Sequence, residues 1–452
     1  MYIKQYRPFL IMDINPMVDL DGNSAANTQL IVPPGSEELF RFYRMQLLPD
    51  GFPGATPIGL GLPNASVQPH PLYGVYLIRM SLDAWEAQGE NQLLQQAVRA
   101  GYAAINRMDW RSEALIFIYP QNSAFNRLNR DYYSALTQVK YVTTFWRLYL
   151  ITKDDLFKTA ADAAFSSLTI PIEEGGVMVR RPEGISFEEA PHPVPTFILN
   201  GWLSILENIY RFAKKAKSKK GLQLFHSSIS LLKTLLPYYD MPKFKTSRYA
   251  LAGSVPFKLQ LSHNARVVSG LLVTPHGISV PFEIGKPSER WSIGLDKTTG
   301  EISGNFVFPI DSIFKMTRIE LTVESDYEGT IEFLAPPISY NPLRGAQYHK
   351  DFRRQRISPL AIGTNNVVFK LKSKPYEISA YPTNFKKKIA GKHYNVYHFM
   401  HIKSLRQLHQ ITGDSVFKNY ADKWFEYTRH WPSMQIYQHK NIELKCPPTM
   451  QI

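Results

Sequence analysis

Two adjacent carboxylates in a proline-stiffened stretch are the first residues of this chain that could carry chemistry. They are Glu188 and Glu189, in Ser186-Phe-Glu-Glu-Ala-Pro-His-Pro-Val-Pro-Thr-Phe-Ile-Leu-Asn-Gly201, ahead of a helix expected from near Pro195 through Trp202, Leu206 and Ile209. Proline fixes φ, and a stiff loop suits an acid or base that must stay beside a substrate proton. The same pair also suits a plain helix entry, where negative charge is favoured. Both readings stand at this level.

A second group is His393-Tyr-Asn-Val-Tyr-His-Phe-Met-His401, expected to open a helix. There Tyr394, Tyr397, His398 and His401 share one face at three- and four-residue spacing. They form either a polar stripe facing a cleft or a satisfied core cluster. With no carboxylate beside them, His398 and His401 are not expected to hold a metal, and no cofactor is expected. A third group is Tyr132-Tyr133-Ser-Ala-Leu-Thr-Gln138, expected to open a helix ending at Leu150, with Tyr238, Tyr239 and Tyr249 further on. Tyrosine rings stack on sugars and their hydroxyls bond sugar hydroxyls; the same rings also fill cores.

The surface chemistry points to an acidic partner. The chain has 452 residues and a formal net charge of +14, so lysines and arginines must cluster, and a polyanion is a natural partner. The run Lys214, Lys215, Lys217, Lys219 and Lys220 is expected to close a helix. Arg353, Arg354 and Arg356, and Lys386 to Lys388, are better placed to contact an anionic chain. No phosphate-cradling Gly-x-x-x-x-Gly-Lys, dinucleotide turn or His-Glu-x-x-His is present, and Gly59-Leu-Gly61 lacks the third glycine. No nucleic-acid module accompanies the basic runs, so nucleic acid is not expected. The single cysteine, Cys446, excludes an internal disulfide. Phe9 to Met12 is far shorter than an export signal's apolar core, and no run approaches a membrane span, so the default expectation is a cytoplasmic protein.

These groups need elements to position them. With 44% apolar and 13% aromatic residues, the chain can bury a large core and exceeds one comfortable domain. Residues 1–70 are rich in Pro, Gly and Asn, and read as an irregular segment, with at most a short hairpin, packed on the helical domain. From Pro71 the spacing of Leu72, Val75, Tyr76, Ile78 and Leu82 is helical. Thr152-Lys-Asp-Asp-Leu-Phe-Lys-Thr-Ala-Ala-Asp162 and Thr412-Gly-Asp-Ser-Val-Phe-Lys-Asn-Tyr-Ala-Asp422 are near-copies, each a helix capped by Thr or Asp. With comparable starts at Gly89 and Ser218, the intervals are roughly 63, 66 and 194 residues, the last being one repeat plus about 130. Those extra residues show strand-like runs, Val267 to Val273, Ile278 to Ile284 and Arg318 to Val323. The expected fold class is therefore α+β and multidomain: an incomplete (α/α) toroid of helical hairpins (71–254 and 386–452) with an inserted all-β, sandwich-like domain (255–385). An open solenoid of hairpins would give the same pattern.

Several of these elements resemble the C-terminal domain of the D-glucuronyl C5-epimerases. Glu188-Glu-Ala-Pro with Phe197-Ile-Leu-Asn-Gly201 is similar to that family's Glu-Glu-Tyr-Pro and Phe-Val-Leu-Asn-Gly, with Ala190 where the family has tyrosine. Tyr133-Ser-Ala with Gln138, Arg147-x-Tyr-Leu with Thr152-Lys-Asp, Leu235-Leu-Pro-x-Tyr-Asp240, and Tyr397-His with His401-Ile402 resemble further family elements, in the family's order. A looser counterpart spans Phe244 to Tyr249. The resemblance covers about Tyr132 to Ala250 and Tyr394 to Tyr427.

The resemblance implies a polysaccharide uronate C5-epimerase that converts D-glucuronate to L-iduronate in a heparosan-like polymer, as a possible homodimer. It implies Glu189 and Tyr397 as the acid/base pair, with Glu188, Tyr132, Tyr133, Gln138, Asn200, Arg248, Tyr249, His398 and His401 contacting substrate. A tyrosine ordinarily titrates near 10, so a base at Tyr397 needs a nearby cation, for which His398 or Arg248 are the candidates. Two other readings remain: a uronan lyase, which shares the proton abstraction and then expels the C4 substituent, and a non-catalytic polysaccharide-binding protein, motivated by Ala190.

Overall fold

The computed structural model describes residues 29–56, 67–121, 123, 125–126, 128, 130–262, 264–274, 279–284, 294–296, 302–309, 317–371, 382–448 and 450. Phe9 to Met12, Gly59 to Gly61 and Ile278 lie outside them. Helix and strand are both abundant, and the chain divides into two compact units, Met1–Ala104 and Ile105–Ile452.

The first unit contains a short helix α1 (Glu37–Tyr43) and three antiparallel strands, Met45–Leu47, Pro53–Ala55 and Gln68–Pro69. Where residues 1–70 read from sequence as irregular with at most a short hairpin, the described residues hold helix α1 and a small antiparallel sheet. Helix α2 (Pro71–Gln88) begins with proline at its first position, where no N–H is needed, and His70 Nδ1 accepts from Leu72 N at 3.2 Å. Gly89, at φ 76°, ends it, and α3 (Asn91–Asn106) follows.

The second unit contains three helical hairpins, formed by α4 (Ala135–Thr152) with α5 (Asp155–Ser167), α6 (Leu199–Lys215) with α7 (Lys219–Leu235), and α8 (Val396–Thr412) with α9 (Ser415–His430). The first helices, α4, α6 and α8, pack side by side. The near-copies at 152–162 and 412–422 fold alike: Asp154 accepts from Leu156 N at 2.8 Å, and Asp414 from Val416 N at 3.0 Å. Each aspartate is an N-cap satisfying a donor that the helix cannot. Trp202 on α6 donates to Ser228 Oγ on α7 at 2.8 Å, and Trp202, Leu206, Leu232, Leu405 and Trp424 share one buried core.

Two local expectations are corrected. Helix α6 begins at Leu199, four residues after Pro195, because Phe197 takes a left-handed φ of 49°, which no helix can contain. Tyr132 and Tyr133 form a strand paired with Ile118–Tyr119, and α4 opens only at Ala135 and runs on to Thr152.

Between α7 and α8 lie two stacked sheets. One has the order Glu283–Ile284, Gly294–Asp296, Ile302–Pro309, Ala252–Leu261, Gly329–Ala335, Arg353–Leu360; the other runs Ser279–Pro281, Ala265–Val273, Arg318–Ser325, Gly363–Lys370. Arg318–Ser325 alternates strictly, burying Ile319, Leu321 and Val323 against Phe257, Phe333 and Phe369 in a core shared by both sheets. Arg353–Leu360 is outermost among the described strands of its sheet. Arg353, Arg354, Gln355 and Arg356 are all exposed, and the register with Gly329–Ala335 skips Gln355 as a bulge.

Candidate active site

Glu188 is fully buried and occupied by the backbone around it. One carboxylate oxygen accepts from Thr196 N at 3.0 Å and Thr196 Oγ1 at 2.6 Å; the other accepts from Phe197 N at 3.0 Å. Burial pushes its pKa above the ordinary carboxylate range, and the hydrogen bonds from Thr196 and Phe197 hold it back. The carbonyl of Phe197 accepts from the buried Tyr239 hydroxyl at 2.7 Å. A non-glycine residue in the left-handed region is strained unless its surroundings over-determine it, as they do here on both sides of the peptide. The strain fixes where α6 begins.

Glu189 points to that beginning. A Cβ built on Gly201 would stand 2.6 Å from Glu189 Oε2, and the next two nearest atoms, at 3.4 and 3.5 Å, also belong to Glu189. Glycine is therefore required there so that the half-buried carboxylate can lie against the first turn of α6, where helix amides favour negative charge. Asn200, in the same turn, has Oδ1 buried with no hydrogen-bond partner among the described residues.

Tyr249 and Tyr397 come from opposite sides of the β-insertion and meet. Leu199 N donates to Tyr249 O at 2.9 Å, and Leu251 N to Thr196 O at 2.9 Å, tying Tyr249 to the entry of α6. The Tyr249 and Tyr397 rings then pack edge to face, with centroids 5.0 Å apart at 67°. Glu189, Asn200, Tyr249 and Tyr397 are all half-buried, and are the members of the expected set that remain open enough to meet a substrate.

The other expected contacts belong to the framework, which corrects the assignment made from sequence. Gln138 is fully buried: it donates to Leu115 O and Ser167 Oγ and accepts from Phe117 N. Tyr133 is buried and donates to Ser167 O at 2.8 Å, and its neighbour Tyr132 is buried against Tyr119. His398 and His401 lie in the core rather than in a cleft-facing stripe, and Tyr394 precedes the helix, in a strand. His398 Nδ1 accepts from Ser247 N at 3.1 Å, so Nε2 carries the proton and donates to Trp424 O at 2.9 Å. Burial lowers His398 to about 4, with the Trp424 bond opposing, and lowers His401 well below its ordinary value. At neutral pH His398 is uncharged and cannot supply a cation to Tyr397. Arg248, buried and adjacent to Tyr249, is drawn down to about 9 by burial while Asp240 opposes, and so keeps its charge.

Two contributors to the site carry no clear signal in the sequence. Ser247 joins both histidines; it lies in the looser counterpart Phe244 to Tyr249, where nothing in its residue type marks that role. Gly201 lies within a quoted motif, but its demand for space appears only with the fold. Among the described residues no group of three or more His, Cys, Asp or Glu could hold a metal, and no helix is long and apolar enough to cross a membrane.

Residues 108–266 match the family model described as D-glucuronyl C5-epimerase C-terminus. That stretch, about a third of the chain, is similar to the C-terminal part of the D-glucuronyl C5-epimerases. It holds Glu188, Glu189, Asn200, Arg248 and Tyr249, while Tyr397 lies beyond it. A D-glucuronyl C5-epimerase of Caenorhabditis elegans is 25% identical over 174 residues, 35% of this chain and 28% of that protein. An uncharacterized protein of Methanocaldococcus jannaschii is 28% identical over 117 residues, 25% of this chain and 38% of the other. The chain thus spans well under half the length of these relatives. Among solved structures, a GH76 alpha-mannanase of Bacteroides thetaiotaomicron is 12% identical with a TM-score of 0.31, covering 47% of this chain and 56% of that one. A GH76 mannosidase of the same organism is 12% identical with a TM-score of 0.30, covering 45% and 51%.

Proposed function

We propose that this chain is a polysaccharide uronate C5-epimerase. The observation that carries the reading is Glu189, seated against Gly201 at the start of α6 within the stretch that matches the epimerase family. A hexuronate C5–H is acidified by the neighbouring carboxylate, and its removal builds negative charge that hydrogen bonds or a cation must meet. Epimerisation then needs a second group to return a proton to the opposite face. Glu189 and Tyr397 are those two groups. Glu189 as carboxylate takes the C5 proton on one face and Tyr397 as neutral phenol returns its own proton on the other; the amides of the α6 entry and Asn200 meet the developing charge, Tyr249 supports the sugar ring, and Arg248 stabilises the phenolate then left at Tyr397.

The substrate is D-glucuronate in a heparosan-like polymer, and the product L-iduronate. The three hairpins form part of an (α/α) toroid interrupted by the sandwich-like domain 255–385. The acidic polymer runs in the toroid's groove, and the functional unit is a homodimer.

The test is incubation with N-acetylheparosan and its de-N-acetylated, N-sulfated form in deuterated water, with deuterium at C5 scored by NMR. Wild type incorporates deuterium and forms iduronate; Glu189→Gln and Tyr397→Phe each lose on the order of 100-fold or more. An unsaturated, ultraviolet-absorbing product would replace this reading with a lyase. Absence of exchange on any uronan would replace it with a binding protein.

A further inference from the structure

We propose that Ser247 is a positioning residue of the candidate site: it ties the segment that carries Tyr249 to His398 and His401 on α8, and thereby sets the Tyr249 ring on Tyr397. The proposal rests on the reading of Tyr397 as one of the two proton-transfer groups.

Every polar atom of Ser247 is used. Its N–H donates to His398 Nδ1 at 3.1 Å, its carbonyl accepts from Thr383 N at 2.9 Å, and its hydroxyl stands 3.0 Å from His398 Nδ1 and 2.8 Å from His401 Nδ1. Residue, imidazoles and neighbours are fully buried: Thr246 Oγ1 meets Thr383 Oγ1 at 2.8 Å, and Asn395, the N-cap of α8, donates to Thr246 Oγ1 at 3.3 Å. His398 is fixed in turn by Trp424 O on α9. The charged groups nearest this network are Asp240, held by Lys423, Trp424 and Tyr427, and Arg248.

The chain order turns these bonds into alignment. Ser247 is gripped by α8; Arg248 N donates to Tyr239 O at 2.7 Å; Tyr249 O accepts from Leu199 N at the entry of α6. Within three residues the backbone is fastened to the helix that carries Tyr397 and to the helix start that holds Glu189. His398 follows Tyr397 directly, and His401 lies one turn on, so the two imidazoles fix the rotation of α8 about its axis. The Tyr249 ring has only to meet Tyr397, 5.0 Å away. His401 Nε2 has no partner among the described residues, so its one hydrogen bond is the one to Ser247. A core histidine kept for packing alone would be served as well by leucine, which suggests a role beyond packing.

The test compares Ser247→Ala with Leu408→Ala, a buried α8 residue outside the network, as a control for lost stability. C5 exchange kinetics are measured on both, with fluorine NMR of fluorotyrosine-labelled protein, the Tyr397 resonance being assigned with Tyr397→Phe. Expected for Ser247→Ala are a fall in kcat of about 10–100-fold with a much smaller change in KM, and a shifted Tyr397 resonance. Leu408→Ala shows neither beyond its loss of Tm. A kcat within threefold of the control, or an unmoved Tyr397 resonance, overturns the proposal. If Ser247→Ala does not fold, His401→Leu removes one arm while replacing an unpartnered buried nitrogen; it should melt no lower than wild type yet lose kcat, and full activity overturns the proposal. If wild type itself exchanges no C5 proton, the epimerase reading has failed. The resonance then decides alone: a shift keeps Ser247 as the joint that sets Tyr249 on Tyr397, and no shift removes it.

Discussion

Gly201→Ala should separate activity from stability. The new Cβ would lie 2.6 Å from Glu189 Oε2, where ordinary contact begins at 3.4 Å, so the carboxylate must retreat by about 0.8 Å (3.4 − 2.6). It can, because the atom in the way is the end of a flexible side chain and the nearest atoms met all belong to Glu189. Misplacing a reacting group by about 1 Å costs up to roughly 100-fold in rate, so C5 exchange should fall about 10–100-fold, or ~1.4–2.7 kcal/mol of barrier. Replacing glycine by alanine in a helix contributes up to about 1 kcal/mol, so thermal unfolding should stay level or rise slightly. The assay pairs initial rates of deuterium wash-in with melting curves, and includes Glu189→Ala with and without Gly201→Ala. Once Glu189 is gone, alanine at 201 should have no further effect on activity and should only stabilise. Exchange within threefold of wild type in Gly201→Ala would refute the placement of Glu189 as a reacting group; a large loss of Tm would refute the freedom of its side chain to yield.

Three further outcomes follow from the buried groups. Glu188→Ala strands the Thr196 and Phe197 amides and should cost roughly 3–5 kcal/mol in urea unfolding; a loss below about 1 kcal/mol would contradict the bonding described. The unfolded chain takes up a proton at histidine near 6.5, while folded His398 does so only at about 4. Between those values the unfolded state binds more protons, so stability falls as pH drops through the window. His398 contributes about 3 kcal/mol of that loss by its lower end, and His401 adds in the same sense; a urea midpoint that is flat from pH 6.5 to 5 would show that these imidazoles are not buried neutral. Asp154→Ala should cost about 1 kcal/mol by loss of an N-cap, and Asp414→Ala as much or somewhat more because Asp414 also pairs with Lys233 at 2.5 Å; a smaller melting loss at Asp414 than at Asp154 would contradict the two caps doing the same work.

What could be read from sequence was local. The paired caps at Asp154 and Asp414 were legible because an N-cap bonds its own helix two residues on. The strand Arg318–Ser325 was legible because alternation needs only one buried face. The entry of α6 was not: a run to Gly201 with three prolines reads as a helix start near Pro195, and only the three bonds to Glu188 and the Tyr239 hydroxyl reveal that Phe197 is held left-handed. Helical spacing put His398 and His401 on one face, but it does not say what that face meets. Their partner Ser247 is 151 and 154 residues away in sequence. For the same reason sequence alone does not separate Gln138, Tyr133 and Glu188 from substrate contacts. Buried polar side chains that serve the backbone and polar side chains that serve a ligand are written in the same letters, and burial alone tells them apart.

Among the described residues the strand Arg353–Leu360 has no neighbour on one side of its backbone ladder, the kind of edge onto which a second copy could add a strand and begin aggregation. Here a parallel, in-register pairing would bring Arg353, Arg354 and Arg356 of one molecule against the same arginines of another, while the bulge at Gln355 breaks the straight row of amides and Pro359 removes a donor. Like charges facing across a strand pair repel, so the geometry that exposes this edge also makes it poor glue for its own kind. Neutralising those arginines should therefore make strand-to-strand association through this border easier.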